Sequence, residues 1–441
     1  MIPRRFRRMR WDRKFGRMRC LEGVAVLSLV LASSVRAQDT TRTQGVRIGL
    51  TYTAGTRPGV YILPVSGAPA DSVREIVARD LDFSDRLSVI RPDGGEAPTG
   101  ALNYALYAQL GAVVVVQVSV TPGGSLHVAV HDVAGTRVLS VVDRALPAPE
   151  LGPDWRFVVH GASDEVEKSI TGERGIAQTR ILFERSRSLW IVDADGANAH
   201  PVPNTPGGMS AAWHPGGTMI TYQEFANDGH HAIAVRDLTS GATKRFTGHG
   251  TLNITPTFSP DGNTLVFASG EDGTDLYAVD PNGTEHARRL TLGNGTSTSS
   301  PTFSPDGRRI AYTSNRLGHA EVYITDADGT NPVPLTSGGM SEQSFRSDPD
   351  WSPDGRRVAY QSKVGGVFQV MTINVRDQSV QALTSEGSNE EPSWAPDGRH
   401  LVFSSTRSGV KQLWVIDTES FRTRQLTRGA AARLASWSPH F

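Results

Sequence analysis

Three groups of residues have types and spacings that could do chemistry. Asp193-Ala-Asp-Gly196 and Asp326-Ala-Asp-Gly329 set two carboxylates beside a glycine, as calcium loops do. Both lack the further acidic position and the later Glu of such a loop, so a plain turn accounts for them better. His230-His231 is the single adjacent pair among twelve histidines, and no His-Glu-x-x-His occurs, so no metal site is expected. The third group is a polar residue set before a proline at regular intervals: Thr255-Pro, Ser300-Pro, Asp348-Pro and Glu391-Pro. Such a ring suits recognition more than catalysis. No Gly-x-Ser-x-Gly elbow occurs, and the acidic residues are too dispersed to single out a glycosidase pair. The reading is a non-enzyme with no catalytic residue, no cofactor and no metal.

Repeats must position that ring. Trp213-His-Pro-Gly-Gly, Phe258-Ser-Pro-Asp-Gly, Phe303-Ser-Pro-Asp-Gly, Trp351-Ser-Pro-Asp-Gly, Trp394-Ala-Pro-Asp-Gly and Trp437-Ser-Pro-His are copies of one motif, and their prolines are 45, 45, 48, 43 and 43 residues apart. Each period reads strand, turn, strand, loop, strand, turn, strand, where Pro fixes φ and Gly accepts a positive one. In one unit the strands are Pro301–Ser304, Arg309–Thr313, Glu321–Thr325 and Val333–Leu335. A four-stranded unit at this period is a propeller blade. Second strands near Arg180, Met219, Thr264, Arg309, Arg357 and His400 give six blades. The unit near Arg180 has no motif strand before it, and Trp437-Ser-Pro-His has no unit after it. The two are read as one blade that closes the ring and hides its edges. The motif aromatics are expected between blades.

The strand carrying the motif is expected innermost, with its entering residues on a rim around the channel. Asn253, Thr255, Ser300, Asn315, Arg316, Arg346, Asp348, Glu390 and Glu391 are the candidate binding residues, with Asp348 and Glu391 exposed in the free propeller. The longest period inserts Ser341–Ser347 on the same rim, where insertions in repeat arrays often mark a binding face. The competing reading is a solvated ring that serves only turn geometry.

Residues 46–176 have a different rhythm. Val46–Tyr52, Gly59–Val65, Leu87–Ile90, Ala112–Val120, Ser125–Asp132 and Arg137–Leu146 read as strands. A capping box at Ser72–Glu75 is expected to open a helix, and further helices are expected over Asn103–Leu110 and Asp154–Ile170, with Gly172 as the stop. The expected architecture is an α+β domain at 46–176 followed by an all-β six-bladed propeller at 177–441.

The chain carries 45 Lys and Arg against 45 Asp and Glu, but ten of the cations and only two of the anions fall in residues 1–37. That stretch has a basic leader, an apolar Gly23–Ala32 segment and a small residue at Ala37, the pattern of a secretory signal cleaved there. An uncleaved anchor is the alternative. Residues 38–45 read as a flexible lead-in. The remaining 404 residues then carry a net charge of −8, the wrong sign for a nucleic-acid footprint. Cys20 is the single cysteine and leaves with the signal. The mature form is expected in the periplasm as a monomer that does not span the membrane.

The Ser-Pro-Asp-Gly repeats resemble those of the TolB family, the periplasmic component of Tol–Pal systems. Three further segments share the resemblance: Val46-Arg-Ile-Gly-Leu-Thr51 leading to Pro58–Pro64, Asp80–Leu87, and Ser163–Gly172 continuing into Gly175–Ile181. The resemblance implies a role in outer-membrane integrity, protein transport and constriction at cell division. It implies two partners: a Pal-like peptidoglycan-associated lipoprotein on the propeller, and a TolA-like membrane-anchored protein on Val46, Arg47, Ile48, Gly49, Leu50 and Thr51. The alternative is a secreted propeller sensor or hydrolase accessory that binds a peptide or glycan.

Overall fold

The structure is a computed structural model that describes residues 56–441 apart from 66–67, 93–97, 99, 226–228, 284–285, 294 and 338–344. The expected signal, lead-in, Val46–Thr51 segment and most of the Ser341–Ser347 insertion lie outside these residues. The described residues form one compact unit.

Its first part is a five-stranded sheet with helices against it. The elements are β1 (Gly59–Ile62), α1 (Ala68–Phe83), β2 (Ser88–Ile90), α2 (Tyr104–Gln109), β3 (Val114–Val120), β4 (Ser125–Asp132), β5 (Arg137–Ala145) and α3 (Pro153–Thr171). The sheet order is β2-β1-β3-β4-β5, with β1 parallel to both neighbours and β3, β4 and β5 an antiparallel meander. Val73, Ile76, Val77 and Leu81 of α1 and Val159, Ala162 and Val166 of α3 pack on Val60, Val114, Val116, Val128 and Val130 of the sheet. About one helical turn separates the expected and observed starts of α1: it begins at Ala68 rather than at Ser72. Pro69 in the first turn, where its missing N–H is harmless, and Asp71 at the positive end of the dipole explain the earlier start. Gly172 ends α3 with φ 85°, a left-handed value that glycine adopts without a Cβ penalty.

Six four-stranded antiparallel sheets follow. Blade 1 combines Arg433–Trp437 with Arg180–Arg185, Ser188–Asp193 and His200–Pro206, so strands from the two ends of this region share one sheet. Blades 2 to 6 run in sequence, and their inner strands are Met209–Trp213, Leu252–Phe258, Thr298–Phe303, Arg346–Trp351 and Asn389–Trp394. Each inner strand touches the next around the axis, including Arg433–Trp437 with both of its neighbours. The cores lie between blades. Trp213 packs with Leu182 and Ile191 of blade 1, and Trp394 with Ala359 and Val370 of blade 5. Arg309 and Arg357, which follow the motif turns, stack on Trp351 and Trp394 of the next blade at 5.0 and 4.7 Å.

The motif explains its own turn. Ser304 donates its hydroxyl to Asp306 at 2.6 Å and accepts the Arg309 N–H, while Asp306 accepts the Arg308 N–H. Ser259 with Asp261 and Ser352 with Asp354 repeat the arrangement. These bonds, led by the serine hydroxyl, hold the Asp306 carboxyl below its ordinary range.

Candidate functional site: the channel ring and the domain seam

Each inner strand carries one bulge and, at it, one non-glycine residue in left-handed backbone. These residues are Ser210, Thr255, Ser300, Asp348, Glu391 and Leu434, with φ between 48° and 57°. Such a conformation costs about 1–2 kcal/mol per residue relative to the right-handed regions, and it recurs six times because the surroundings enforce it. The bulge breaks the ladder, and at Ser300, Asp348, Glu391 and Leu434 a neighbouring side chain accepts the freed N–H. Thr255 accepts the Ser300 N–H at 3.0 Å, and Glu391 accepts the Leu434 N–H at 2.7 Å. The Asp348 and Glu391 N–H groups go to Thr313 and Gln361. Ser300 donates its hydroxyl to Asp348 at 2.6 Å, and Ser404 donates to Glu391 at 2.7 Å.

This ring lines a channel cavity of about 390 Å³ that reaches the turn prolines Pro215, Pro260, Pro353 and Pro439. Two residues further along each strand is a second set of staples. Asp350 accepts the Trp394 N–H at 2.7 Å and the Thr302 hydroxyl at 3.2 Å, and Ser393 accepts the Trp437 N–H. Burial pushes the Asp350 carboxyl up to about 6 and raises Asp348 and Glu391 as well.

The expected rim therefore divides. Thr255, Ser300, Asp348 and Glu391 come together in the channel wall. Asp348 and Glu391 are not exposed in the free propeller as expected: what surface they keep faces the channel, and their oxygens already hold neighbouring blades. Asn253 is also not a rim residue. It is fully buried, accepting the Gly248 N–H and donating to the His231 carbonyl. Asn315, Arg316, Arg346 and Glu390 lie at the strand-entry end of blades 4 to 6. Asn315 is exposed and caps the Ser297 N–H at 2.7 Å. Arg316 stacks on Tyr323, Arg346 pairs with buried Glu321 at 2.7 Å, and Glu390 pairs with Lys411 at 2.9 Å. Ser210 and Leu434 escaped the sequence reading because alanine, not proline, follows each. Asp350 escaped because it occupies a motif strand without a repeat partner of its own type.

The opposite, turn end of the propeller meets the α/β domain, and the segments Asp80–Leu87 and Ser163–Ile181 form the seam. Arg422 binds Asp82 at 2.7 Å and Asp85 at 3.1 Å, and Arg399 donates to the Asp85 carbonyl. Arg86 reaches Glu167 and Asp397 at 3.3 and 3.5 Å. Asp164 accepts the Ala177 and Gln178 N–H groups. Although burial opposes its charge, Asp397 is held well below the usual carboxylate range by His400 and Arg86. His400, buried against Asp397 and Asp85, is driven up to about 9 against its own desolvation. Burial pushes Asp164 and Glu167 up to about 7. Among the described residues, His160, Asp193 and Asp195 have the spacing of a metal site. The two carboxylates are engaged instead by Arg79, Arg156, Arg180 and Asn198.

Comparison with known proteins agrees with this architecture. The family described as "TolB beta propeller domain" matches residues 167–441. A "Tol-Pal system protein TolB" of Alcanivorax borkumensis is 28% identical over 232 residues, covering 48% of this chain and 52% of that protein. The chain thus aligns with about half the length of that curated relative. A crystal structure of TolB from Acinetobacter baumannii superposes with a TM-score of 0.72 at 24% identity, over 87% of this chain and 97% of that one. Hydrazine synthase of Kuenenia stuttgartiensis has a TM-score of 0.51 at 12% identity, over 59% of this chain and 46% of that one, a likeness of fold alone.

Proposed function

The chain belongs to the TolB β-propeller domain family, and from that membership we propose that it is the propeller component of a Tol–Pal-type envelope system. In this reading the protein is exported with cleavage after Ala37, works in the periplasm and catalyses nothing. Its propeller docks a Pal-like lipoprotein at the strand-entry end, around Asn315, Arg316, Arg346 and Glu390, with the ring of Thr255, Ser300, Asp348 and Glu391 beneath. Val46–Thr51 takes a TolA-like membrane-anchored protein by strand addition, in which main-chain hydrogen bonds supply affinity. Coupling the two partners would support outer-membrane integrity and constriction at division.

The observation that carries the reading is the division of labour between the two ends of the propeller. The turn end is engaged by the α/β domain through Asp82, Asp85 and Arg86. The strand-entry end keeps the exposed Asn315 and the half-buried Arg316, Arg346 and Glu390 around the ring, the arrangement of a polar interface rim that steers and selects partners. Among the described residues no helix is long and apolar enough to cross a membrane.

A photo-crosslinking amino acid at Asn315, compared with one at the exposed turn-end Asp280, tests this in producing cells. The expected product is a crosslink from position 315, and not from 280, to a lipoprotein bearing a peptidoglycan-binding domain. Equal products from both positions would place the partner elsewhere.

A further inference from the structure

We propose that the open edge of β5 and the adjoining flank of α3 form a docking groove for an acidic, extended segment of a partner polypeptide, which joins the sheet as a sixth strand. This surface lies on the α/β domain and is separate from the strand-entry end of the propeller.

The edge comes first. β5 is the outermost strand of its sheet and, among the described residues, pairs only with β4. Its nine residues therefore present main-chain N–H and C=O groups on one side with no strand beside them, the template that strand addition uses. Long edges are usually blunted by shortening, by proline, by charged side chains, by bulges or by burial under another element; β5 has one bulge, between its pairings at Val138 and Ser140, and runs in unbroken register with β4 from Ser140 to Ala145. β5 is one of the longest strands in the molecule, contains no proline, and exposes Val138 and Val141 at 51% and 48%.

The groove comes second. A cavity of about 870 Å³ runs between β5 and α3, lined by Ser140, Val141, Val158, Lys168 and Arg174 among others. The Ser140 hydroxyl is buried there and has no hydrogen-bond partner. Val141 and Val158 offer apolar contact for alternate side chains of an added strand.

Charge selects the occupant. Three cations line the groove, Arg144, Lys168 and Arg174, against the single carboxylate of Glu165. Arg144 holds Glu165, and Arg174 donates to the Phe441 main-chain oxygen at 2.7 Å. Lys168 is exposed, with no ion-pair partner among the described residues. The surplus is positive, so the segment that fits carries Asp or Glu on the strand face turned toward α3.

The test uses the full chain and a fluorescein-labelled peptide of alternating Val and Glu, read by polarisation and by amide hydrogen exchange. The expected result is saturable binding with new protection confined to residues 137–145. Lys168→Glu should weaken binding about tenfold, since opposite charges close to an interface are worth that much, with an unchanged melting temperature. Lys168→Ala should fall between. A peptide N-methylated along one edge should not bind. Equal binding by an alternating Val-Lys peptide, or full binding by the N-methylated one, would overturn the proposal. So would protection that appears only in the propeller. Protection of 137–145 already present without peptide, and lost on deleting residues 38–55, would give the groove to the chain's own leading segment and equally overturn it.

Discussion

Glu391 shows how much one position of the ring carries. Its backbone is left-handed, its N–H is taken by Gln361, and its carboxylate receives both the Leu434 N–H and the Ser404 hydroxyl. Truncation to alanine strands two buried donors without an acceptor. Leaving buried donors unpaired costs about 1–3 kcal/mol each, so Glu391→Ala should lower stability by roughly that amount or more in urea denaturation. Ser304→Ala, which removes one hydroxyl from a motif turn, should cost about 1 kcal/mol. If both variants unfold at the wild-type midpoint, the ring and the turns are not the staples described here. The same geometry makes Glu391→Lys and Asp348→Lys poor probes of partner binding, because a reversed charge would disturb the wall before any partner arrives.

The elements obey a single rule of closure. Trp437 fills the space between blades 6 and 1, with its indole N–H on Thr179 at 2.8 Å, and Arg433–Trp437 pairs with Arg180–Arg185. Removing residues 433–441 deletes the inner strand of blade 1 and opens two inter-blade cores. The expected outcome is loss of a cooperative thermal transition, or aggregation through the exposed edge. A sharp transition at the wild-type temperature would refute closure by this strand. Most of this was legible in the sequence because a repeated motif averages out local ambiguity: six copies of an aromatic-x-Pro turn fix the blade count even where a single copy would be weak. The bulges were not legible. A left-handed Leu434 or Ser210 is dictated by the packing of six inner strands around an axis, not by its own type or its neighbours in chain. The seam was half legible: Asp80–Leu87 and Ser163–Ile181 stood out by resemblance, but their partners Asp397, Arg399 and Arg422 lie more than 200 residues away, beyond the reach of any local pattern.

At the scale of the molecule the α/β domain and the propeller are joined through buried titratable groups. His400 carries a folded-state value of about 9, above its ordinary 6.5. A raised histidine contributes stability that is fully present below the unfolded value and is lost as pH rises through the folded one. Asp164 and Glu167, pushed up to about 7, have the same sign at lower pH: protonated in the fold, they favour it below about 4, and that contribution is lost as pH climbs toward 7. Asp397 works oppositely and is lost on acidification below the ordinary carboxylate range. Stability of the joined domains should therefore decline between pH 6.5 and 9, and His400→Gln should flatten that limb. A wild-type melting temperature that is constant across this window would contradict the charged state assigned to His400.

The strand-entry end of the propeller is the surface proposed to receive a Pal-like lipoprotein. Calorimetric titration of the full chain with the soluble domain of such a lipoprotein tests it most directly, comparing wild type, Asn315→Trp and Asp280→Lys. Asn315 is exposed at that end, so a bulky residue there should keep the fold and cost it only the bond to the Ser297 N–H, about 1 kcal/mol. It should weaken binding by about 1–3 kcal/mol, the range of many interface substitutions, while Asp280→Lys at the far end leaves affinity unchanged. Equal affinity for all three proteins, or loss only with Asp280→Lys, would contradict the account.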